Sequence, residues 1–207
     1  MASNGGDGAA FARSRAGLSA PDLEYGCIAA PVVNQGLQPP TERRITMLVA
    51  AIAPKSRGRI SLRSADPKEK PLIDPGYLSD EADVDVLIAG IRQVREIMPQ
   101  EPLARLAKAE DVPGAQVTND ERLRAWIRGN VHSMFHVTST CAMGGAEAAV
   151  CDPELRVRGV AGLRLVDASM MPTIPHGPPL AAIIAVAERA SDIIQGKTPL
   201  APTLPAL

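Results

Sequence analysis

Apolar positions recur at helical spacing in three stretches of the chain. From Ser79 onward Val84, Leu87, Ile88, Ile91, Val94 and Met98 repeat every three or four residues, which predicts one buried helical face. Ser79 reads as the N-cap, Asp80, Glu81 and Asp83 favour the positive end of the helix, and Pro99 stops it. A second helix is expected from about Asn119 to Val131, with Leu123, Trp126 and Ile127 on its apolar side. The third begins after Pro178-Pro179 and ends at Gly196. It is apolar nearly all round as far as Ala187, the pattern of a helix buried on several sides.

Ahead of the helices the pattern is that of strands. Leu23 to Ala29 and Ile45 to Ile52 are rich in bulky or β-branched residues bounded by Pro and Gly, and Arg59 to Arg63 alternates charged with apolar positions. A short strand is also expected from Leu163 to Val166. Asn34 to Pro40 reads as a loop. The expectation is an α+β fold: a mostly antiparallel sheet covered by helices on one face, with the His136 and Asp167 segments packed at one edge. Residues 1–20, rich in Gly, Ala and Ser, read as a flexible leader, 21–196 as the domain, and 197–207 as a flexible tail. No internal repeat is visible.

Composition narrows the function classes. Among 207 residues, Lys+Arg 22 against Asp+Glu 23 leaves a net charge of -1, without the basic excess of a nucleic-acid binder. Five aromatics offer little for stacking on bases. The longest clean apolar runs, Met47 to Ala53 and Leu180 to Ala187, fall far short of the ~18–20 residues of a membrane span. The start of the chain lacks a basic and apolar signal pattern, and three cysteines cannot all pair within one chain, so the cytoplasm is the expected compartment.

Chemistry rests on few residues. The histidines are His132, His136 and His176. His132 and His136 stand four apart, with Cys141 and Cys151 downstream, and on a helix both imidazoles would share a face as zinc requires. Ser133 stands where a metalloprotease needs Glu, and the cysteine spacing is wide for structural zinc, so no metal is expected.

His136-Val-Thr-Ser-Thr-Cys-Ala-Met-Gly144 resembles the H-P-x-G-T-C-x-M-G signature of the glucose-methanol-choline (GMC) oxidoreductases. Val150 to Gly159 and Gly162 to Thr173 follow in the family's order and spacing, and upstream the 57–63 strand and the Pro-Leu-Ile-Asp-Pro-Gly turn at 71–76 are similar too. The resemblance implies an FAD-dependent enzyme oxidising the CH-OH group of an alcohol, sugar or choline-like substrate. It implies that His136 takes the hydroxyl proton while hydride passes to the flavin N5, a role suited to imidazole, which exchanges protons near neutral pH. It further implies that Asp167 and Ala168 approach the FAD chain. The start of the last helix, at Pro178, Pro179 and Leu180, would face the flavin edge where negative charge collects.

Two departures limit the carry-over. The family's usual S-G-N-T-N-A-P is His176-Gly-Pro-Pro-Leu-Ala-Ala182 here, so Pro178 replaces the second catalytic partner, and His176 is the candidate substitute. The chain also lacks the strand, G-x-G-x-x-G turn and helix that cradle a pyrophosphate. The expectation is therefore the C-terminal, substrate-covering part of a GMC enzyme, its last strand and helix returning to a separate FAD-binding chain, with FAD not retained by this chain alone. The rival expectation is a non-catalytic remnant that oligomerises through the surface left bare.

Overall fold

In the computed structural model, residues 6–32 and 42–198 are described. The loop expected at 34–40 lies outside them. The chain divides into two compact units, residues 1–134 and 135–207.

The first unit is built on an antiparallel sheet, ordered β1 (Gly8–Ala12), β2 (Leu23–Ile28), β3 (Thr46–Ala51). The register sets Leu23 opposite Ala51 and Tyr25 opposite Val49. These residues line the face covered by α1 (Glu81–Ile97), whose Val84, Leu87 and Ile88 form the core together with Leu78 and with Leu123 and Ile127 of α2 (Asp120–Asn130). α1 carries Gly90 where a Cβ would stand 2.4 Å from a methyl of Val49, so a side chain there would push the helix off the sheet.

Polar anchors fix these elements. Buried Asp83 accepts the amides of Lys55 and Ser56, each at 2.8 Å, pinning the chain between β3 and a small hairpin of β4 (Arg59–Ser61) and β5 (Leu72–Asp74). Arg124 and Arg128 of α2 reach Glu81 of α1, and Arg92 reaches Asp120. Tyr25 donates to Gln93 at 2.8 Å, and burial, helped by Asp22, pushes its phenol up to about 12.

The second unit has less regular structure. Its centre is Leu155, Met170, Met171 and Ala190, with Met143, Val166, Ala182, Ile183 and Val186 packed around them. α3 (Leu180–Ile194) thus turns one stripe inward, while Leu180, Ile184 and Ile194 remain more than half exposed.

The α+β class holds: every strand pairing in the two small sheets is antiparallel, and there are three α-helices among the described residues. Several details differ from expectation. Part of the supposed leader is strand β1, paired in register with β2, because small Gly and Ala side chains carry no pattern of their own yet leave the backbone free to pair. The cap of α1 is Asp80, whose Oδ1 accepts the Ala82 amide, whereas the Ser79 amide is committed to the preceding turn with Gly76. The stretch 71–76, read as a turn, contains β5. Leu163 to Val166 forms only an isolated bridge between Arg164 and Arg156, since Gly159 and Gly162, at φ 78° and 76°, end the extended backbone. α3, by contrast, agrees with the surface expected to be left bare in this portion alone: it packs along one stripe on its own unit and leaves Leu180, Ile184 and Ile194 exposed.

Candidate functional site

The two signature segments meet in the second unit. The chain after His136 runs beside the short 3-10 turn Ala168–Met170, and three backbone hydrogen bonds join them: Ser139 N to Ala168 O at 3.2 Å, Cys141 N to Ser169 O at 2.9 Å, and Met143 N to Met170 O at 2.8 Å. His136 is half-buried and lies three residues before the first of these bonds. Its chain neighbours, Phe135 and Val137, are 74% and 71% exposed.

Asp167 begins the turn. Its Oδ1 accepts the Ser169 amide at 2.7 Å, and the Ser169 side chain, seconded by this amide, holds the carboxyl below the usual range. Asp167 therefore shapes the turn that receives the His136 segment, and Ala168 supplies the carbonyl that receives Ser139. Asp167 itself is exposed.

The other expected site residues lie at the entrance to α3. His176 is the central residue of a tight turn in which the Gly177 amide reaches Pro175 O at 2.8 Å, and it is exposed. Pro178 is exposed and Pro179 buried, the latter serving as N-cap without a side-chain acceptor. Leu180 is exposed, and no acidic residue lies in the first turn of α3, so its N–H groups and the positive end of the helix carry no side-chain counter-charge of their own.

His132 stands two residues beyond α2, its Nδ1 3.0 Å from Ser133 O, and the chain from 131 to 136 is not helical. The helical spacing that would pair it with His136 is thus not realised. Among the described residues no group of three or more His, Cys, Asp or Glu is placed to hold a metal ion, and no helix is long and apolar enough to cross a membrane.

Two features of the site escaped the sequence reading. Ser139 has φ 71° at the signature position that is Gly in the family pattern, and its hydroxyl lies 2.9 Å from that of Thr138. A β-carbon in the left-handed region is disfavoured, so the signature glycine was itself the clue. Phe135, at φ 61° beside His136, gave no such signal.

The C-terminal domain pattern of the GMC oxidoreductases matches residues 54–187, well over half of the chain. This chain belongs to the GMC oxidoreductase family. It is 38% identical over 201 residues to alcohol dehydrogenase [acceptor] of Pseudomonas putida, covering 97% of this chain and 36% of that protein. It is 40% identical over 204 residues to oxygen-dependent choline dehydrogenase of Photobacterium profundum, covering 98% of this chain and 36% of that protein. Among solved structures it is similar to pyridoxine 4-oxidase from Mesorbium loti, with a TM-score of 0.83 at 27% identity over 92% of this chain and 38% of that one. The GMC chain described here thus spans little more than a third of these relatives, and corresponds to their C-terminal portion.

Proposed function

We propose that this chain is the substrate-facing C-terminal portion of an FAD-dependent oxidoreductase acting on the CH-OH group of an alcohol or choline-like substrate, in which His136 accepts the hydroxyl proton. The observation that carries the reading is the backbone pairing of the His136 segment with the Asp167 turn, because it joins the two signature motifs in one compact unit. The segment that carries the imidazole is anchored by backbone bonds at Ser139, Cys141 and Met143, which fixes the path of the chain just after His136.

The residues present fit the ring end of FAD. The first-turn N–H groups of α3, at Leu180 and following, are not capped by side chains and suit an electron-rich edge, and Pro178 and Pro179 fix the approach to them. They do not supply a pyrophosphate cradle, which on this reading comes from a separate FAD-binding chain. FAD, when bound, supplies the oxidant that takes the hydride. The part left to this chain is to draw off the alcohol's proton at an imidazole nitrogen of His136, and to keep Asp167 and Ala168 as the floor that fixes the segment. The reading also places the protein in the cytoplasm.

Fusing this chain to the N-terminal portion of a GMC relative tests the proposal. Anaerobic addition of alcohols should bleach the flavin, and His136→Ala should slow that bleaching by about 10²- to 10⁴-fold, the usual contribution of a positioned general base. Full-rate bleaching by the His136→Ala fusion would remove His136 from the mechanism. In the same assay a large loss on His176→Ala assigns His176 the place that Pro178 leaves vacant, and no loss leaves His136 acting alone.

A further inference from the structure

Cys141 and Cys151 belong to two stretches of the second unit that backbone hydrogen bonds hold side by side. Met143 and Cys151 are direct partners in a parallel bridge, with Gly144 N on Cys151 O at 3.0 Å and Cys151 N near Ala142 O at 3.4 Å. Cys141 stands two residues before Met143, in a turn with Thr140, and is half-buried, whereas Cys151 is fully buried. Burial pushes the Cys151 thiol up, and the Cys141 sulfur adds more to this than the adjoining Asp152 carboxylate does, as expected of two sulfurs close together.

We propose that Cys141 and Cys151 are a redox-responsive pair, in which a hydroperoxide oxidises Cys141 and Cys151 then closes a disulfide. The chemistry divides by access. Cys141, the reachable thiol, attacks the peroxide oxygen, giving a sulfenic acid and, with hydrogen peroxide, one water. The sulfur of Cys151 attacks that of Cys141, the S–O bond breaks, and the departing hydroxide leaves as a second water with the Cys151 proton. Two thiols are oxidised and one peroxide is reduced.

The consequence follows from where the bond forms. A disulfide holds its two Cα atoms within about 6.8 Å, so closing it draws the Thr140–Cys141 turn towards Cys151. The Cys141 amide is one of the three that hold the His136 segment to the Asp167 turn. Oxidation therefore loosens that join and acts on the proposed site without touching His136.

The test uses the full chain, exposed to hydrogen peroxide, denatured with N-ethylmaleimide, digested and mapped by mass spectrometry. The expected product is a monomeric chain lighter by two hydrogens, with Cys141 and Cys151 in one linked peptide pair, Cys27 alkylated, and full reversal by dithiothreitol. Hydrogen exchange before denaturation should be faster at Ser139, Cys141 and Met143 in the oxidised chain. A Cys141 sulfinate with Cys151 still alkylated, or a disulfide joining two chains, would overturn the pairing. Unchanged exchange with the disulfide formed would overturn the coupling to the His136 segment.

Discussion

Both units bury a core of their own, and the first buries the larger one. Leu23, Val84 and Leu123 are completely buried between sheet and helices, and charged pairs cross from α1 to α2 at the rim. In the second unit the core is smaller, and α3 leaves Leu180, Ile184 and Ile194 to solvent, alongside Phe135 and Val137. The first unit also leaves Leu62, Ile73, Leu106 and Val112 exposed, so the size of the buried core, not the presence of exposed apolar side chains, tells the units apart. The chemistry-bearing motifs sit in the second unit, whose last helix lies open on one side.

The largest effect expected from this contrast is in stability. Leu123→Ala removes a fully buried side chain between α2 and α1, and should cost about 2–5 kcal/mol by urea unfolding. Ile184→Ala, on the exposed side of α3, should stay within about 0.5 kcal/mol in dilute solution. Equal losses would mean that the exposed side of α3 is covered in solution, and the contrast between the units would fail. A cost for Ile184→Ala that grows with protein concentration would identify a second copy as the cover.

A smaller effect separates the units by pH. Tyr25 has a folded pKa of about 12 against about 10 when unfolded, so its phenol is neutral in both states below pH 10 and costs nothing there. As pH rises from about 10 to 12 the unfolded chain ionises first, and stability falls by roughly 2–3 kcal/mol over that window. Urea midpoints at pH 9 and 11 read about half of that loss, roughly 1–1.5 kcal/mol. Tyr25→Phe should flatten the dependence. Identical slopes in the two chains would show that Tyr25 does not control it.

The elements legible in the sequence are those whose side chains do the packing. α1 and α2 bury the faces their periodicity marks, and β2 and β3 bury Leu23, Tyr25 and Ala50. β1 was not legible, because Gly8 to Ala12 owes its strand to the register imposed by β2. For α3 the all-round apolar pattern, in a portion without a covering domain, led to the expectation of a bare side, and Leu180, Ile184 and Ile194 are exposed. At the site, the motif spacing led to His136 and Asp167, but the partners joining them are backbone amides and carbonyls, which every residue has. The role of Asp167 in capping its own turn was readable from Asp-x-Ser, a local pattern.

The smallest prediction sharpens the view that the second unit stores strain near its motif. Ser139 sits at φ 71°, where a β-carbon costs about 1–2 kcal/mol and glycine costs nothing. Against that relief stands the greater freedom that glycine loses on folding, about 0.5–1 kcal/mol. The hydroxyl contact with Thr138 must be kept out of the comparison, and measuring the Ser139→Gly chain against the Ser139→Ala chain does so, since both lack the oxygen. The Ser139→Gly chain should be the more stable by about 0.5–1 kcal/mol, the reverse of the order at an ordinary helical or extended position. A Ser139→Gly chain less stable than its alanine counterpart would show that the backbone of 139 relaxes out of the left-handed region in solution. The bond from Ser139 N to Ala168 O, which depends on that backbone, would then have to be redrawn.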